Sequence, residues 1–204
     1  MKKLVLASTS PRRKELLGQV IELLPITEFS CVSPNIDETP FTDENAFQYV
    51  SRLALAKAKA GLELLHDDKQ ANCDQKYVVI GSDTIVKLDD KILGKPTDKS
   101  DAFKILSQLS GRVHQVITAV SIVSSESFGI TSVETKVIET NVVFTRLTAE
   151  AINAYIATNE PMDKAGAYGI QGIGGSFVSE IQGSYSAVVG LPMVETTALI
   201  KQYL

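Results

Sequence analysis

Cysteine and histidine are both scarce in this chain of 204 residues, which contains only two of each. Cys31 and Cys73 cannot form a disulfide framework or a cysteine-based zinc cluster, since either needs more thiols. His66 and His114 lie too far apart in sequence to share the spacing of a histidine metal motif. Acid, base or metal chemistry is therefore expected to depend on carboxylate, lysine and arginine side chains.

Long apolar runs and an excess of positive charge are absent as well. The apolar run at 4–7 is shorter than a signal peptide needs, and no run approaches the length of a membrane span. The 20 Lys and Arg against 24 Asp and Glu give a formal charge of −4, which disfavours binding to duplex nucleic acid. We therefore expect a cytoplasmic protein with neither a nucleic-acid nor a membrane partner, and few cysteines suit that reducing compartment.

Helix and strand patterns are interleaved along the chain, which predicts an α/β or α+β class with a mixed sheet. A single two-lobed α/β domain over residues 1–204, with a cleft between the lobes, is favoured over two independent domains. Apolar or β-branched runs predict strands at 4–7, 29–33, 77–80, 85–88, 91–93, 113–123 and 135–145. Periodic apolar spacing and capping residues predict helices at 11–24, 43–65, 98–109, 149–157 and 192–203, with Thr42 as the cap of the second. Residues 66–76 are expected to form an exposed connection.

The first candidate site follows the first predicted strand. Ser8 precedes a helix start at which Ser10 is the capping residue and Pro11 the first helical residue. Arg12 and Arg13 then place two cations at the positive end of a helix dipole, where cations are unfavourable. An anion such as a triphosphate would offset this cost, although a pair of solvated surface arginines is the alternative.

Two acidic segments could supply oxygen ligands for a divalent cation. Asp37 and Glu38 lie in a loop between two prolines, although an exposed acidic turn is the simpler interpretation. Asp83 follows the predicted buried strand at 77–80, and groups at strand ends often bind ligands, although an Asx-turn is the alternative. Carboxylate oxygens suit Mg²⁺ or Mn²⁺ rather than zinc.

Three further features could contact a substrate. Lys57 shares a predicted helix face with small residues, where a ligand or another element could approach, although a lysine extending from the edge of the buried stripe is the alternative. Lys95 lies between Gly94 and a proline, which could fix one positive charge or form a plain turn. Seven of the 13 glycines fall within 166–190, a density that ligand approach or mobility explains better than packing. Gln171 in that segment could recognise a base, since its amide both donates and accepts.

In this order, the motifs resemble those of the Maf family of nucleoside triphosphate pyrophosphatases over nearly the whole chain. The matching segments are LASTSPRR at 6–13, DE at 37–38, RLA at 52–54, KA at 57–58, GSDT at 81–84, LGKP at 93–96, GRVH at 111–114, EPMDKAGAYGIQG at 160–172 and GSY at 183–185. The resemblance implies an elongated mixed sheet with flanking helices in two lobes around a cleft, similar to inosine triphosphate pyrophosphatases. It also implies that a nucleoside triphosphate and water give the monophosphate and pyrophosphate, with a divalent cation (Mg, Mn or Co).

The resemblance also implies roles for particular residues. Thr84 and the AYGIQG stretch at 167–172 resemble the branch of the family that acts on dTTP and UTP, whereas the branch that acts on 7-methyl-GTP typically carries glutamine at the position of Thr84. Arg12, Thr84 and Gln171 are the implied specificity positions, and Asp83 is the implied proton acceptor. The stretch between Leu17 and Asp37 is longer than usual in the family, which leaves the local boundaries of helix and strand open.

These roles combine into one hypothesis for the mechanism. Glu38 and Asp83 would hold the cation, and Asp83 would take a proton from a water that the cation has made more acidic. The predicted catalytic residues are Asp83, Glu38, Lys57 and Lys95, and the predicted substrate-binding residues are Ser8, Arg12, Arg13, Thr84 and Gln171. Two alternatives stay open here: a 7-methyl-GTP pyrophosphatase, and a nucleotide-sensing regulator of cell division without turnover. A homodimer is suggested by the resemblance alone.

Overall fold

The computed structural model describes residues 2–67, 75–126 and 129–203. Cys73 and most of the predicted connection at 66–76 lie outside these ranges. Across the described ranges, none of the helices combines the length and the apolar character needed to span a membrane.

Strands and α-helices are interleaved along the chain, as the sequence patterns predict. The strands are β1 (Lys3–Ala7), β2 (Ser30–Val32), β3 (Tyr77–Leu88), β4 (Lys91–Leu93), β5 (Val113–Glu126), β6 (Gly129–Phe144) and β7 (Val178–Gln182). The α-helices are α1 (Pro11–Ile21), α2 (Ala46–Asp67), α3 (Lys99–Leu109), α4 (Ala149–Ala157), α5 (Tyr185–Val189) and α6 (Met193–Lys201). Short 3₁₀ turns occupy 160–163, 165–167 and 173–177.

The strands form a seven-stranded mixed sheet in the order β2-β1-β3-β5-β6-β7, with β4 paired to β3. β1 runs parallel to both β2 and β3, so that Leu6 lies beside Cys31 on one side and Ile80 on the other. β3 with β4, and β6 with β7, are antiparallel pairs. The predicted α/β class with a mixed sheet and flanking helices is therefore confirmed, while the single domain with a cleft stays a prediction.

The chain divides into two compact units, the first comprising Met1–Asp83, Thr118–Val137 and Gly190–Leu204, and the second Thr84–Ile117 and Ile138–Val189. The core of the first unit packs α2 on β1 and β3, and its buried residues include Val5, Ala58, Leu62 and Val79. The second unit has its own core, in which residues of α3 and α4 pack with the aromatic side chains of Phe144, Tyr155, Tyr168 and Phe177. Each unit therefore buries an apolar cluster of its own.

Small residues allow α2 to lie very close to the sheet. A Cβ atom at Gly61 would lie 2.7 Å from the Cβ of Ala7 on β1. A Cβ atom at Gly81 on β3 would overlap the carbonyl oxygen of Ala54 and lie 2.6 Å from the nitrogen of Ala58. The prediction that small residues on this helix face admit another element is confirmed, and the element is the chain's own sheet.

Several boundaries differ from the predictions, and two of these differences affect the candidate site. β3 is one continuous strand, so Asp83 lies inside it rather than after its end, and neither the strand-end argument nor the Asx-turn applies. α2 begins at Ala46 rather than at Asp43, because Asp43 adopts a left-handed conformation with φ of 63°. Its N-terminus is capped not by Thr42 but by a reciprocal pair, in which Asn45 and Gln48 each accept from the backbone N–H of the other.

Candidate active site

Lys57 joins the two carboxylates that the sequence marked as cation ligands. Its Nζ lies 2.7 Å from Oε1 of Glu38 and 2.6 Å from Oδ1 of Asp83. The side chains of Lys57 and Asp83 are only 14% and 10% exposed, whereas that of Glu38 is 53% exposed. Lys57 is therefore not a lysine that simply extends into solvent, and all three groups lie together in the first unit.

The close contact between α2 and β3 explains this arrangement. Gly81 lies two residues before Asp83, so both face α2, because side chains alternate between the faces of a strand. The helix touches the strand at Gly81 through Ala54 and Ala58, and Lys57 lies between these two alanines in sequence. A larger residue at Gly81 would push α2 away and would separate the ammonium from the Asp83 carboxylate.

Arg13 approaches the same carboxylates from the first turn of α1. Ser10 caps this helix, since its hydroxyl accepts from the backbone N–H of Arg13. The guanidinium Nε donates to the carbonyl of Gly190 at 2.9 Å, and the buried hydroxyl of Ser82 lies 2.9 Å from the same oxygen. Burial lowers the pKa of Arg13, and the negative charge of Asp83 opposes that shift. Arg13 is therefore partly buried and close enough to the carboxylates for their charges to affect its pKa, unlike a solvated surface arginine.

Ser8 and Arg12 lie beside this helix start. Ser8 is buried, and its hydroxyl accepts a hydrogen bond from the backbone N–H of Ser10 at 3.1 Å. Arg12 is half-buried, and its positive charge contributes to the lowered pKa of Arg13. Two arginine residues in the first turn of α1 thus belong to the same unit as Glu38 and Asp83.

The loop that carries Glu38 is held by side chains that the sequence reasoning missed. Tyr49 on α2 donates its hydroxyl to the backbone carbonyl of Glu38 at 2.8 Å. Arg52, one turn further along α2, donates to the carbonyl of Thr39 at 3.1 Å and makes a two-point pair with Glu44 at 2.6 and 2.7 Å. This pair lowers the pKa of Glu44 and raises that of Arg52. The RLA motif at 52–54 was the available signal.

The negative charges of the nearby carboxylates also affect the pKa of Tyr49. Burial raises the pKa of its phenol, and the negative charges of Asp83 and Glu38 raise it further. The hydroxyl is therefore held in the protonated form that donates to the Glu38 carbonyl. Asp37, by contrast, is exposed and accepts from the backbone N–H of Thr39 at 2.8 Å. Of the adjacent acidic pair, the structure brings only Glu38 to Lys57.

The remaining predicted site residues belong to the second unit. Thr84 is half-buried and follows Asp83 along β3, whereas Lys95 and Gln171 are exposed. The segment that carries Lys95 is fixed in that unit by Gly94, whose carbonyl accepts from the N–H of Gly166 at 3.0 Å. The proposed roles of Thr84, Lys95 and Gln171 stay predictions.

The glycine-rich segment around Gln171 is organised by Glu160. Its carboxylate accepts from the backbone N–H groups of Ile173 at 3.0 Å and Gly174 at 3.2 Å, and from the hydroxyl of Tyr155 at 2.9 Å. A Cβ atom at Gly172 would overlap this carboxylate. Burial would raise the pKa of Glu160, but these hydrogen bonds hold it below its ordinary value. Room for this carboxylate therefore gives one packing reason for glycine at 172. The expectation that ligand approach or mobility explains the glycine density stays a prediction.

His114 is a buried residue of β5 in the second unit. Its Nε2 lies 2.8 Å from the hydroxyl of Tyr168, and the ring meets Phe144 edge-on at 4.9 Å between centroids. Burial lowers the pKa of His114 from 6.5 to about 4, so the ring is neutral at physiological pH. Nothing in this environment suits it to act as a base for a solvent-exposed substrate.

The comparison with known proteins decides the family. A family model described as "Maf-like protein" matches residues 3–203 of this chain. The chain belongs to the Maf family. A dTTP/UTP pyrophosphatase from Shewanella denitrificans is 54% identical over 196 residues, covering 96% of this Maf chain and 93% of the relative. A dTTP/UTP pyrophosphatase from Vibrio parahaemolyticus is 51% identical, covering 98% and 97% respectively.

A solved structure resembles the fold of this Maf chain. The HAM1 protein from Coxiella burnetii has a TM-score of 0.51 and 14% sequence identity, covering 99% of this chain and 100% of that one. At this identity the likeness concerns the fold alone. It agrees with the mixed sheet and flanking helices that the motifs predict.

The donor set of the Maf chain fits a hard divalent cation. Among the described residues, no group of three or more His, Cys, Asp or Glu side chains is placed to hold a metal ion, so the candidate cation site depends on a pair of carboxylates. Glu38 and Asp83 are two carboxylates held on one ammonium group. Such a pair suits Mg²⁺, which proteins commonly bind through one or two carboxylates while water and substrate phosphates complete the coordination.

Proposed function

We propose that this chain hydrolyses dTTP and UTP to the monophosphates and pyrophosphate. The observation that carries the proposal is the grouping of Lys57 with Glu38 and Asp83, which places two carboxylates and an ammonium in one partly buried site. The choice of substrate is supported by relatives named dTTP/UTP pyrophosphatase that are 54% and 51% identical over nearly the whole chain.

In this proposal, charge on the triphosphate is balanced by residues from several elements. Glu38 and Asp83 hold a divalent cation, Mg²⁺, Mn²⁺ or Co²⁺, which when bound neutralises part of the phosphate charge. Arg12, Arg13 and Lys95 bind phosphate oxygens, because guanidinium and ammonium groups make charge-assisted hydrogen bonds to them. The position of Arg13 at the start of α1, within electrostatic range of the carboxylates, supports this assignment.

Three polar residues complete the proposed substrate contacts. Ser8 lies before the N-terminal end of α1, where a hydroxyl and backbone N–H groups favour an anion. Thr84 and Gln171 select the pyrimidine base together with Arg12. The GSDT and AYGIQG motifs, which resemble the dTTP/UTP branch, support this selection.

The proposed reaction breaks the bridging bond between the α- and β-phosphates. A water oxygen forms the new bond to the α-phosphorus, and pyrophosphate leaves with the electron pair of the broken bond. Asp83 accepts the proton that the water loses, and Lys57 orients the Asp83 carboxylate through the 2.6 Å contact. Glu38 is held on the same ammonium, so movement of Lys57 would disturb both carboxylates.

Pyrophosphate release from a nucleotide panel tests the proposal. With Mg²⁺ or Mn²⁺ present, kcat/KM should be highest for dTTP and UTP among dTTP, UTP, dCTP, dATP and 7-methyl-GTP. Asp83→Asn should lower kcat by about 100-fold or more, since a general base contributes about 10²–10⁴-fold. Asp89→Asn is the matched control, because Asp89 lies in an exposed turn with φ of 53°, a conformation that asparagine readily adopts. Wild-type turnover by Asp83→Asn would refute the role.

The same panel separates the alternatives. A preference for 7-methyl-GTP would place the chain in the other branch of the family and would contradict the role of Thr84. Tight nucleotide binding without pyrophosphate release would support a sensor of cell division rather than an enzyme. The intact set of charged motif residues favours turnover over binding alone.

A cytoplasmic location and a homodimer belong to the same proposal. The scarcity of cysteine suits a reducing compartment, and the resemblance to the family supports the dimer. Size-exclusion chromatography with light scattering would test the assembly, with a dimer expected at micromolar protein.

A further inference from the structure

The segment 37–44, called here the Glu38 loop, is attached to α2 by side chains that reach its backbone. The hydroxyl of Tyr49 donates to the carbonyl of Glu38 at 2.8 Å, and the guanidinium of Arg52 donates to the carbonyl of Thr39 at 3.1 Å. Two consecutive carbonyls are therefore held by two donors that lie one helical turn apart. These contacts fix the backbone from which the Glu38 carboxylate extends.

A second set of contacts holds Arg52 itself in place. Glu44 accepts from its Nε at 2.6 Å and from its terminal NH₂ at 2.7 Å, and the same carboxylate accepts from the N–H of Phe41 at 3.1 Å. The ring of Phe41 lies 3.9 Å from the guanidinium carbon. A fork of two hydrogen bonds together with a stacked ring is a geometry that lysine cannot reproduce. Arg52 therefore joins both ends of the Glu38 loop.

One rigid element thus determines where Glu38 lies. α2 carries Tyr49 and Arg52, which hold the backbone of the Glu38 loop, and also Lys57, which pairs with the Glu38 carboxylate at 2.7 Å. These side chains are not needed to start the helix, since Asn45 and its partner already cap the N-terminus. Their donors point at the loop that bears the exposed carboxylate.

We propose that Arg52 and Tyr49 are positioning residues that hold the Glu38 carboxylate beside Asp83 and so set the affinity of the site for a divalent cation. The inference rests on the proposed function, in which Glu38 and Asp83 are the cation ligands. Neither Tyr49 nor Arg52 needs to touch the cation, because each acts on the backbone of the Glu38 loop.

Manganese binding followed by electron paramagnetic resonance tests the inference without any turnover. Tyr49→Phe removes one hydroxyl, and Arg52→Lys keeps the charge but removes the fork. Each should weaken Mn²⁺ binding by about 10-fold, the lower end of the effect of residues that orient a ligand. Tyr203→Phe is the matched control, since its hydroxyl accepts from Ser132 and lies outside the Glu38 loop. Its Mn²⁺ affinity should equal that of the wild type.

Turnover as a function of Mn²⁺ gives a second measurement that a general loss of structure would not reproduce. The Mn²⁺ concentration for half-maximal rate should rise by about 10-fold in Tyr49→Phe, while kcat at saturating Mn²⁺ stays near the wild-type value. A kcat that falls at every Mn²⁺ concentration, with unchanged Mn²⁺ affinity, would overturn the inference. So would unchanged Mn²⁺ affinity in both variants, each shown to be folded by its melting temperature.

Glu38→Gln distinguishes failure of this inference from failure of the proposed function. Weaker Mn²⁺ binding in Glu38→Gln, with no change in the Tyr49 and Arg52 variants, would overturn the positioning role alone. Unchanged Mn²⁺ binding in Glu38→Gln would refute the proposed cation site, and the positioning role with it. Weaker binding in all three variants would support both.

Discussion

Acid should destabilise the second unit through His114, whose ring is buried and neutral. Its Nε2 is paired with the hydroxyl of Tyr168, while its Nδ1 has no hydrogen-bond partner among the described residues. The aromatic ring of Phe144 covers one side. A charge on this ring would be poorly solvated, and burial accordingly lowers its pKa from 6.5 to about 4.

The direction and size of the effect follow from this pKa. Because the folded pKa of His114 lies below that of an ordinary histidine, the unfolded chain binds the proton first as the pH falls. The stability supplied by the neutral ring is complete above about pH 6.5 and is lost as the pH falls towards 4. One pKa unit corresponds to about 1.4 kcal/mol, so the loss should reach about 2 kcal/mol at pH 5 and about 3 kcal/mol at pH 4.

Urea unfolding followed by circular dichroism at pH 7 and pH 5 measures this loss. His114→Gln removes the titrating ring and keeps an amide that can pair with Tyr168, so acid should destabilise it by about 2 kcal/mol less than the wild type. Proton NMR of the His114 ring gives its pKa directly. A pKa near 6.5, or equal losses of unfolding free energy in the two proteins, would refute the reasoning.

Most elements of the fold follow from local patterns in the sequence. The strand at 77–80 and the helix start at Pro11 are examples, since a buried apolar run and a Ser-Pro cap each have few local alternatives. Local patterns fail where a tertiary contact decides. Gly81, Ser82 and Asp83 have the composition of a turn, yet they continue β3 because α2 packs against Gly81 and Ser82 is hydrogen-bonded in the core.

The sequence before α2 contains two competing signals for the start of the helix. Thr42 and Asp43 both favour helix N-termini, and they predict a start three residues before the observed one. Asn45 and Gln48 have the three-residue spacing of a capping box, and they form it. The left-handed backbone of Asp43 prevents the helix from starting there, so Asn45 rather than Thr42 caps it. No local pattern in the sequence specifies this conformation of Asp43.

The charged residues of the candidate site could be predicted from the sequence, but the side chains that hold the Glu38 loop in place could not. Local patterns and the resemblance to the family indicate Glu38, Lys57 and Asp83, and the structure brings the three side chains together. The contact of Arg52 with Glu44 spans a loop and a helix start, so no helical or strand spacing relates the two residues. Residues such as Arg52, which position a carboxylate by bonding to the backbone of its loop, are therefore difficult to recognise from sequence patterns.

Two substitutions test whether packing holds the candidate site and the glycine-rich segment in place. Gly81→Ala should cost about 1–3 kcal/mol and lower turnover, because its Cβ would displace α2 at the Ala54 carbonyl, whereas Gly18→Ala has open space and should be neutral or stabilising. Glu160→Gln should cost about 1–3 kcal/mol, since its amide group cannot accept all the hydrogen bonds that the carboxylate takes from Gly174 and its neighbours. Melting temperatures and dTTP turnover measure the effect of both substitutions. If the Gly81→Ala protein were as stable and active as the Gly18→Ala protein, the close packing of α2 on β3 would not be needed to keep Lys57 paired with Asp83.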